Sequence, residues 1–311
     1  PQWTPLAVQY ADFAIWQRRV LGDESDPTSV AAQQIDHWRR ALDGLPEAID
    51  LPTDRPRPAV QSLRGATHGF TVDADTHAAL ADIARAHDVS LFMVVHAALS
   101  VLLERLSGSD DVAVGTPVAG RGDAELDPLV GMFVNTLVLR AHVDADLRFV
   151  DLLAQVRETD LSAFGNADIP FERLVEVLKV PRSTAHQPLF QVALAFNNTE
   201  RPDFALPGLG IAPIETSLEA AKFDLQLSLG ENVDADGRPA GLEASFDYAT
   251  DLFDERTVAS FADRFRRILG TVTADPTAIV GDIEIHDADE RRTLAPVRGA
   301  EGVPTRTLAE L

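Results

Sequence analysis

The chain of 311 residues contains no cysteine. That absence excludes disulfides, thiolate nucleophiles and cysteine-ligated metals, and it fits a reducing compartment. Positive charge is scarce as well: 27 Lys and Arg stand against 49 Asp and Glu, a formal net charge of −22. Neutralising a phosphate backbone needs clustered Lys and Arg. The basic pairs present (Arg18-Arg19, Arg39-Arg40, Arg266-Arg267) are short and sit inside amphipathic segments. Nucleic acid is therefore not an expected partner, and the acidic excess reads as a solubility feature. Long apolar runs are also missing. The richest stretch, Leu91 to Leu103, carries His96 and falls short of the roughly 18 residues that span a bilayer, so it reads as a buried helix and no membrane partner is expected. No charged-then-apolar signal segment opens the chain, and its first residue is Pro1 in mid-pattern, which predicts a piece of something longer.

What is present is the balance of a globular protein, 45% apolar and 24% charged. Helical spacing of apolar residues runs through parts of Trp3 to Gly22, through Val30 to Leu42 (closing at Gly44), Asp75 to His87, Leu147 to Phe164 and Asp254 to Thr271. Ser90 is placed to cap the apolar helix that ends at Gly108. Ile169 to Leu178 reads as a further helix with Pro170 in its first turn. Strands are predicted at Gly69 to Val72, Val112 to Val118, Val134 to Val143, Phe190 to Phe196, Phe223 to Leu229 and Leu242 to Tyr248. The prolines at 46, 52, 56 and 58 make that stretch an extended connection packed along the surface. Interleaved helices and apolar strands imply an α/β class with a sheet covered by helices.

Generic chemistry searches return little. There is no Gly-rich phosphate loop ahead of a Lys-Ser/Thr pair, no Gly-x-Ser-x-Gly elbow and no His-x-x-x-His pair among the eight histidines. Asp123, Glu125 and Asp127 lack the surrounding pattern of an oxygen-ligand loop and read as a solvated loop. No metal site is expected.

A series of longer motifs in fixed order says more. It comprises Tyr10-Ala-Asp-Phe-Ala-Ile-Trp16-Gln-Arg; Trp38 followed by Leu42-x-Gly44-Leu-Pro and Leu51-Pro-Thr-Asp-Arg-Pro-Arg-Pro58; and Val130-Gly-Met-Phe-Val-Asn-Thr-Leu-Val-Leu-Arg140. Then come Asn166-Ala-Asp-Ile-Pro-Phe-Glu-Arg-Leu-Val-Glu176, Pro188-Leu-Phe-Gln-Val192 continuing to Phe196-Asn-Asn198, and Lys222-Phe-Asp-Leu225. Over residues 3 to 285 the chain resembles the condensation domains of nonribosomal peptide synthetases. The resemblance implies a chloramphenicol-acetyltransferase-like lobe, a mixed sheet flanked by helices. It implies a cytoplasmic enzyme in which an acceptor amine attacks a donor thioester to form an amide, both substrates riding on the 4'-phosphopantetheine arms of donor and acceptor carrier proteins. The chain itself is expected to bind no cofactor.

One departure matters. The family's His-His-x-x-x-Asp-Gly motif lies upstream of the first motif found here, and no His-His pair occurs in this sequence. The resemblance therefore assigns residues 1–285 to the C-terminal portion of a condensation domain, with 1–60 a lead-in and inter-lobe segment and 61–285 the C-terminal lobe. Residues 286–311 become a linker towards a downstream adenylation domain, whose first residues Arg306-Thr-Leu-Ala-Glu-Leu311 resemble. The missing first lobe is then a partner that carries the catalytic histidine, and the isolated chain is expected to be inactive. The same resemblance places Gly131, Phe133, Asn135 and Gln191 at the substrate tunnel. Asn135 has a competing role as a strand residue that caps a loop. Residues 117–129 match a floor loop beneath the tunnel or an ordinary long connection, and 200–222, or the part just after, a latch to the first lobe. An epimerisation domain of the same superfamily and a non-catalytic carrier-docking module are the alternatives.

Overall fold

The computed structural model describes residues 5–122, 124–197 and 219–294. The expectations for Trp3, Asp123, the start of the latch and the segment 306–311 lie outside the described residues. Six strands form one sheet in the order β1-β6-β5-β4-β2-β3. They are β1 (Gly65–Val72), β2 (Asp111–Val118), β3 (Asn135–His142), β4 (Val192–Asn197), β5 (Leu225–Val233) and β6 (Pro239–Ala249). Strands β2, β4 and β5 run parallel to one another, while β1/β6, β5/β6 and β2/β3 pair antiparallel. The sheet is thus mixed, as the resemblance implies.

One face of the sheet carries the main core. Alternation puts Leu225, Leu227 and Leu229 of β5 and Leu242, Ala244, Phe246 and Tyr248 of β6 on that face. Against it pack α3 (Ala74–Ala86), α4 (Leu91–Ser107), α5 (Phe149–Phe164) and α7 (Glu255–Ala274). Helix α4 is buried from Met93 to Leu103 because it lies beneath its neighbours α3, α5 and α7. Ser90 Oγ accepts from the Met93 amide at its start, and Gly108 adopts the left-handed conformation that ends it. Among the described residues no single helix is long and apolar enough to cross a membrane. The α3–α4 pair, which together has the length, is bent by 106°.

The opposite face is divided. At the β2/β3 end, α2 (Val30–Ala41) and α6 (Phe171–Val177) cover it through Trp38, Leu42, Leu174, Val175 and Phe190. At the β1/β6/β5 end that face is polar and partly open, with Thr67, Thr71, Gln226, Ser228, Glu243, Ser245 and Asp247 along it. Helix α1 (Tyr10–Leu21) lies at the periphery and has no buried residue. A last short helix, α8 (Ala288–Leu294), falls within the span read as linker and is tied to α7 by Arg264–Glu290 and Arg267–Asp287 ion pairs.

Candidate functional site around Gly131 to Asn135

The stretch from Leu129 to Asn135 leads from a connecting loop into β3. Its side chains alternate. Leu129 and Phe133 point inward, while Val130, Met132 and Val134 point out, at 95%, 74% and 52% exposure. Phe133 is 7% exposed and forms a small satellite core with Leu126 and Leu129. Two rings from α1 complete it: Tyr10 meets Phe133 edge-on at 5.1 Å between centroids, and Phe13 lies at 4.8 Å. Tyr10 Oη also donates to the Met132 carbonyl at 2.8 Å.

Gly131 is required by that contact. A Cβ built there would fall 2.2 Å from the Tyr10 ring. The glycine thus lets a helix side chain, rather than a ligand, approach the backbone. Phe133 is likewise committed to anchoring α1. Neither role was legible in the sequence, because Tyr10 and Gly131 are far apart in the chain and carry no shared pattern.

Asn135 opens β3, and its amide is filled from within. Nδ2 donates to the carbonyls of Ala167 and Ile169, each at 2.8 Å. Oδ1 accepts from the Thr136 amide at 2.8 Å and the Phe171 amide at 3.0 Å. An asparagine has two donors and two acceptor positions, so no capacity remains for a further partner in this arrangement. The geometry supports the capping role, a clamp from β3 onto the start of α6.

Gln191, expected to face a tunnel, is enclosed by backbone partners. It is 2% exposed. Its Oε1 accepts from the Ile49 amide at 2.9 Å, and its Nε2 donates to the Gln187 carbonyl at 3.0 Å and the Glu47 carbonyl at 3.3 Å. Burying an amide demands such partners, and here they fasten the proline-rich connection to the sheet. In this arrangement the amide acts as a brace between the connection and β4. The four expected residues therefore divide: Gly131, Phe133 and Asn135 are neighbours on one edge, and Gln191 belongs to a different junction.

The proline-rich connection gains a second tie that sequence reasoning missed. Arg57 grips the buried Asp224 carboxylate bidentately, at 2.8 and 2.5 Å, and donates to the Ala185 carbonyl. That hydrogen-bonded pairing raises the Arg57 pKa further above its ordinary value. A planar fork meeting a carboxylate explains an arginine at this position. Arg140, at the end of the third motif, does the same at the α2 terminus: it grips Asp111 at 2.8 and 2.7 Å and donates to the carbonyls of Ala41 and Asp43.

Among the described residues no cluster of acid–base groups converges on the 130–135 edge. The His96–Asp160 pair (3.0 Å) is buried between α4 and α5, and the buried His77 of α3 reaches out to the partly exposed Glu231 of β5 at 3.2 Å. Among the described residues no three His, Asp or Glu side chains gather where they could hold a metal. A groove of about 470 Å³ lies between the end of α2 and the turn after α6, lined by Leu42, Leu45, Pro46, Val177, Leu178 and Val180 among others. None of Gly131, Phe133, Asn135 and Gln191 lines it.

Comparison with known proteins accounts for this architecture. The family model for the condensation domain matches residues 2–295. The chain is 46% identical to the dimodular nonribosomal peptide synthase of Bacillus subtilis over 94% of its length, and 44% identical to the isonitrile lipopeptide synthase of Mycobacterium tuberculosis over 94%. It spans 12% of each of those proteins. Among solved structures it superposes on the X-domain in the complex of X-domain and OxyB from teicoplanin biosynthesis with a TM-score of 0.84 at 36% identity, covering 92% of this chain and 62% of that one. With a matching family model over nearly its whole length and the mixed, helix-flanked sheet of its structural neighbours, the chain belongs to the condensation-domain family of nonribosomal peptide synthetases.

Proposed function

We propose that this chain is the C-terminal portion of a condensation domain that forms amide bonds between carrier-bound aminoacyl or peptidyl thioesters. The match of the condensation-domain model over residues 2–295 carries this reading. The relatives are named as a nonribosomal peptide synthase and a lipopeptide synthase, and peptide synthesis is what those names share. The 4'-phosphopantetheine arms belong to the donor and acceptor carriers and enter as substrate. The histidine of the His-His-x-x-x-Asp-Gly motif is supplied by a first lobe that seats on the edge bearing Val130, Met132, Val134 and α1. The exposed apolar side chains there support that seat. A downstream adenylation domain follows the 286–311 linker.

In this reading the residues of the chain bind and orient, and the proton-handling group lies on the other lobe. Holding two reactants in attack geometry can supply much of the rate of an acyl transfer. The Gly131 to Asn135 edge contributes one wall, made rigid by Tyr10, Phe133 and the Asn135 clamp. A second reading, a non-catalytic module that docks carrier or partner proteins, is favoured by the likeness to an X-domain that was solved in complex with OxyB.

The experiment is reconstitution. The chain is mixed with, or fused to, an upstream half carrying the histidine motif, and carrier-bound donor and acceptor are supplied. Mass spectrometry then follows the amide product. Product from the pair and none from the chain alone supports the catalytic reading. Full turnover by the isolated chain refutes the division of labour, and binding without product from the pair favours the docking module.

A further inference from the structure

Arg121 lies just ahead of the 124–134 connection and is unusual in its commitments. Its Nη1 donates to the Leu126 carbonyl and, at 3.4 Å, to that of Asp127; its Nη2 donates to the Leu129 carbonyl at 2.9 Å. The guanidinium carbon also stands 4.1 Å from the centroid of the Phe133 ring. One side chain thus holds three carbonyls of a non-repetitive loop and lies over the aromatic anchor of α1. A planar, always-charged fork can stack on the ring while its in-plane N–H groups reach the carbonyls, a geometry the compact ammonium of lysine does not match. The Leu126 carbonyl also accepts the Leu129 amide at 3.1 Å; without the arginine the three carbonyls lose their charged donor, and the loop loses what fixes its course.

The consequence falls on the residues next in the chain. Leu129 and Phe133 are held inward by the arginine and by α1, which forces Val130, Met132 and Val134 outward in a fixed row. We propose that Arg121 is a positioning residue for the condensation reaction: acting through Phe133 and the carbonyls of Leu126 and Leu129, it sets the course of the 124–134 connection and so the wall that ends at Asn135. The proposal rests on the functional reading above and adds to it a residue that touches neither substrate nor the reacting atoms.

Two readouts test it. The first needs no activity. Hydrogen–deuterium exchange is followed over residues 124–134 in the parent chain, in Arg121→Lys and in Phe133→Leu. Both variants keep charge or apolar volume but lose the stacked fork, and both are expected to exchange about tenfold faster there, with the core strands unchanged, since loops open locally at low free-energy cost. Unaltered protection in Arg121→Lys overturns the brace. The second uses the reconstituted domain. Arg121→Lys is expected to lower kcat about tenfold while the KM for each carrier-bound substrate stays within about twofold, the pattern of lost alignment rather than lost binding. A kcat equal to the parent's overturns the positioning role. If the parent pair forms no amide, the functional reading fails while the exchange result still decides whether Arg121 braces the loop.

Discussion

Asn135 shows how far a single residue can be read. The sequence marks it as a polar amide in an apolar strand and places it at the tunnel by resemblance. Its partners, however, lie 32 to 36 residues downstream, on a turn and a helix start that no local pattern connects to β3. A change to alanine removes four hydrogen bonds and leaves half-buried backbone groups behind. Each such orphan costs on the order of 1–3 kcal/mol when water cannot reach it. Because this site is partly solvated, Asn135→Ala is expected to lose about 2–4 kcal/mol in urea unfolding. A midpoint equal to the parent's means the clamp contributes nothing. Glu104 gives a residue-scale prediction of opposite sign. Burial near the end of α4 raises its pKa above the ordinary 4.5, against a weaker lowering by Arg105. The raised folded value means that the fold favours the protonated form. Its contribution is full below about pH 4.5 and is lost as pH rises through the folded value. Glu104→Gln is therefore expected to melt higher than the parent at pH 7 and to lose that advantage near pH 4. A variant less stable at neutral pH contradicts the sign.

At the scale of elements, helices were more legible than strands. Their caps are local: Ser29, Asp73 and Ser90 each accept a hydrogen bond from an amide three residues on, and apolar spacing fixes the buried stripe. Strand limits depend on partners instead. β1 begins at Gly65, ahead of its apolar half, because Gly65 to His68 pair with Phe246 to Ala249 of β6. β5 runs past Leu229 to Val233 because β6 returns beside it. Sheet order was not legible at all, since it rests on parallel pairing of β4 with both β2 and β5 across long connections. Helix α1 shows an element held at its two ends, the far one by Leu21 against Ala31, Ile35 and Ile169. With no buried residue of its own, it docks through Tyr10 and Phe13 onto Phe133. Gly131→Ala places a methyl group inside the Tyr10 ring's space. Release of the Tyr10 end of α1 is the expected result: Trp16 fluorescence and proteolysis near Tyr10 should change while the melting of the main core does not. Retention of the parent's proteolytic pattern argues that another contact holds the helix.

For the whole molecule, the two faces of the sheet have different fates. One is closed by four helices. Among the described residues the other is closed by helices only at the β2/β3 end, and Val130, Met132 and Val134 and, on α1, Ile15, Trp16 and Val20 are exposed. Scattered exposed apolar residues need no explanation, but a row of three on one strand-like stretch, with three more on the helix docked against that stretch, is the composition of a contact surface. If that surface seats the first lobe, charge placed on it should spare the fold and spoil the pairing. Val130 and Met132 contribute little to the core at 95% and 74% exposure, so Val130→Glu with Met132→Glu is expected to shift the melting temperature by no more than about 2 °C. The same pair of changes should lower dye binding and self-association of the isolated chain, because an apolar contact surface acquires two charges. It should also abolish complementation by the upstream half, since burying two unpaired carboxylates at an interface costs several kcal/mol. Sedimentation of the mixed halves, followed by product analysis, measures both. Assembly as tight as the parent's would place the first lobe elsewhere on the molecule and leave the apolar row without this role.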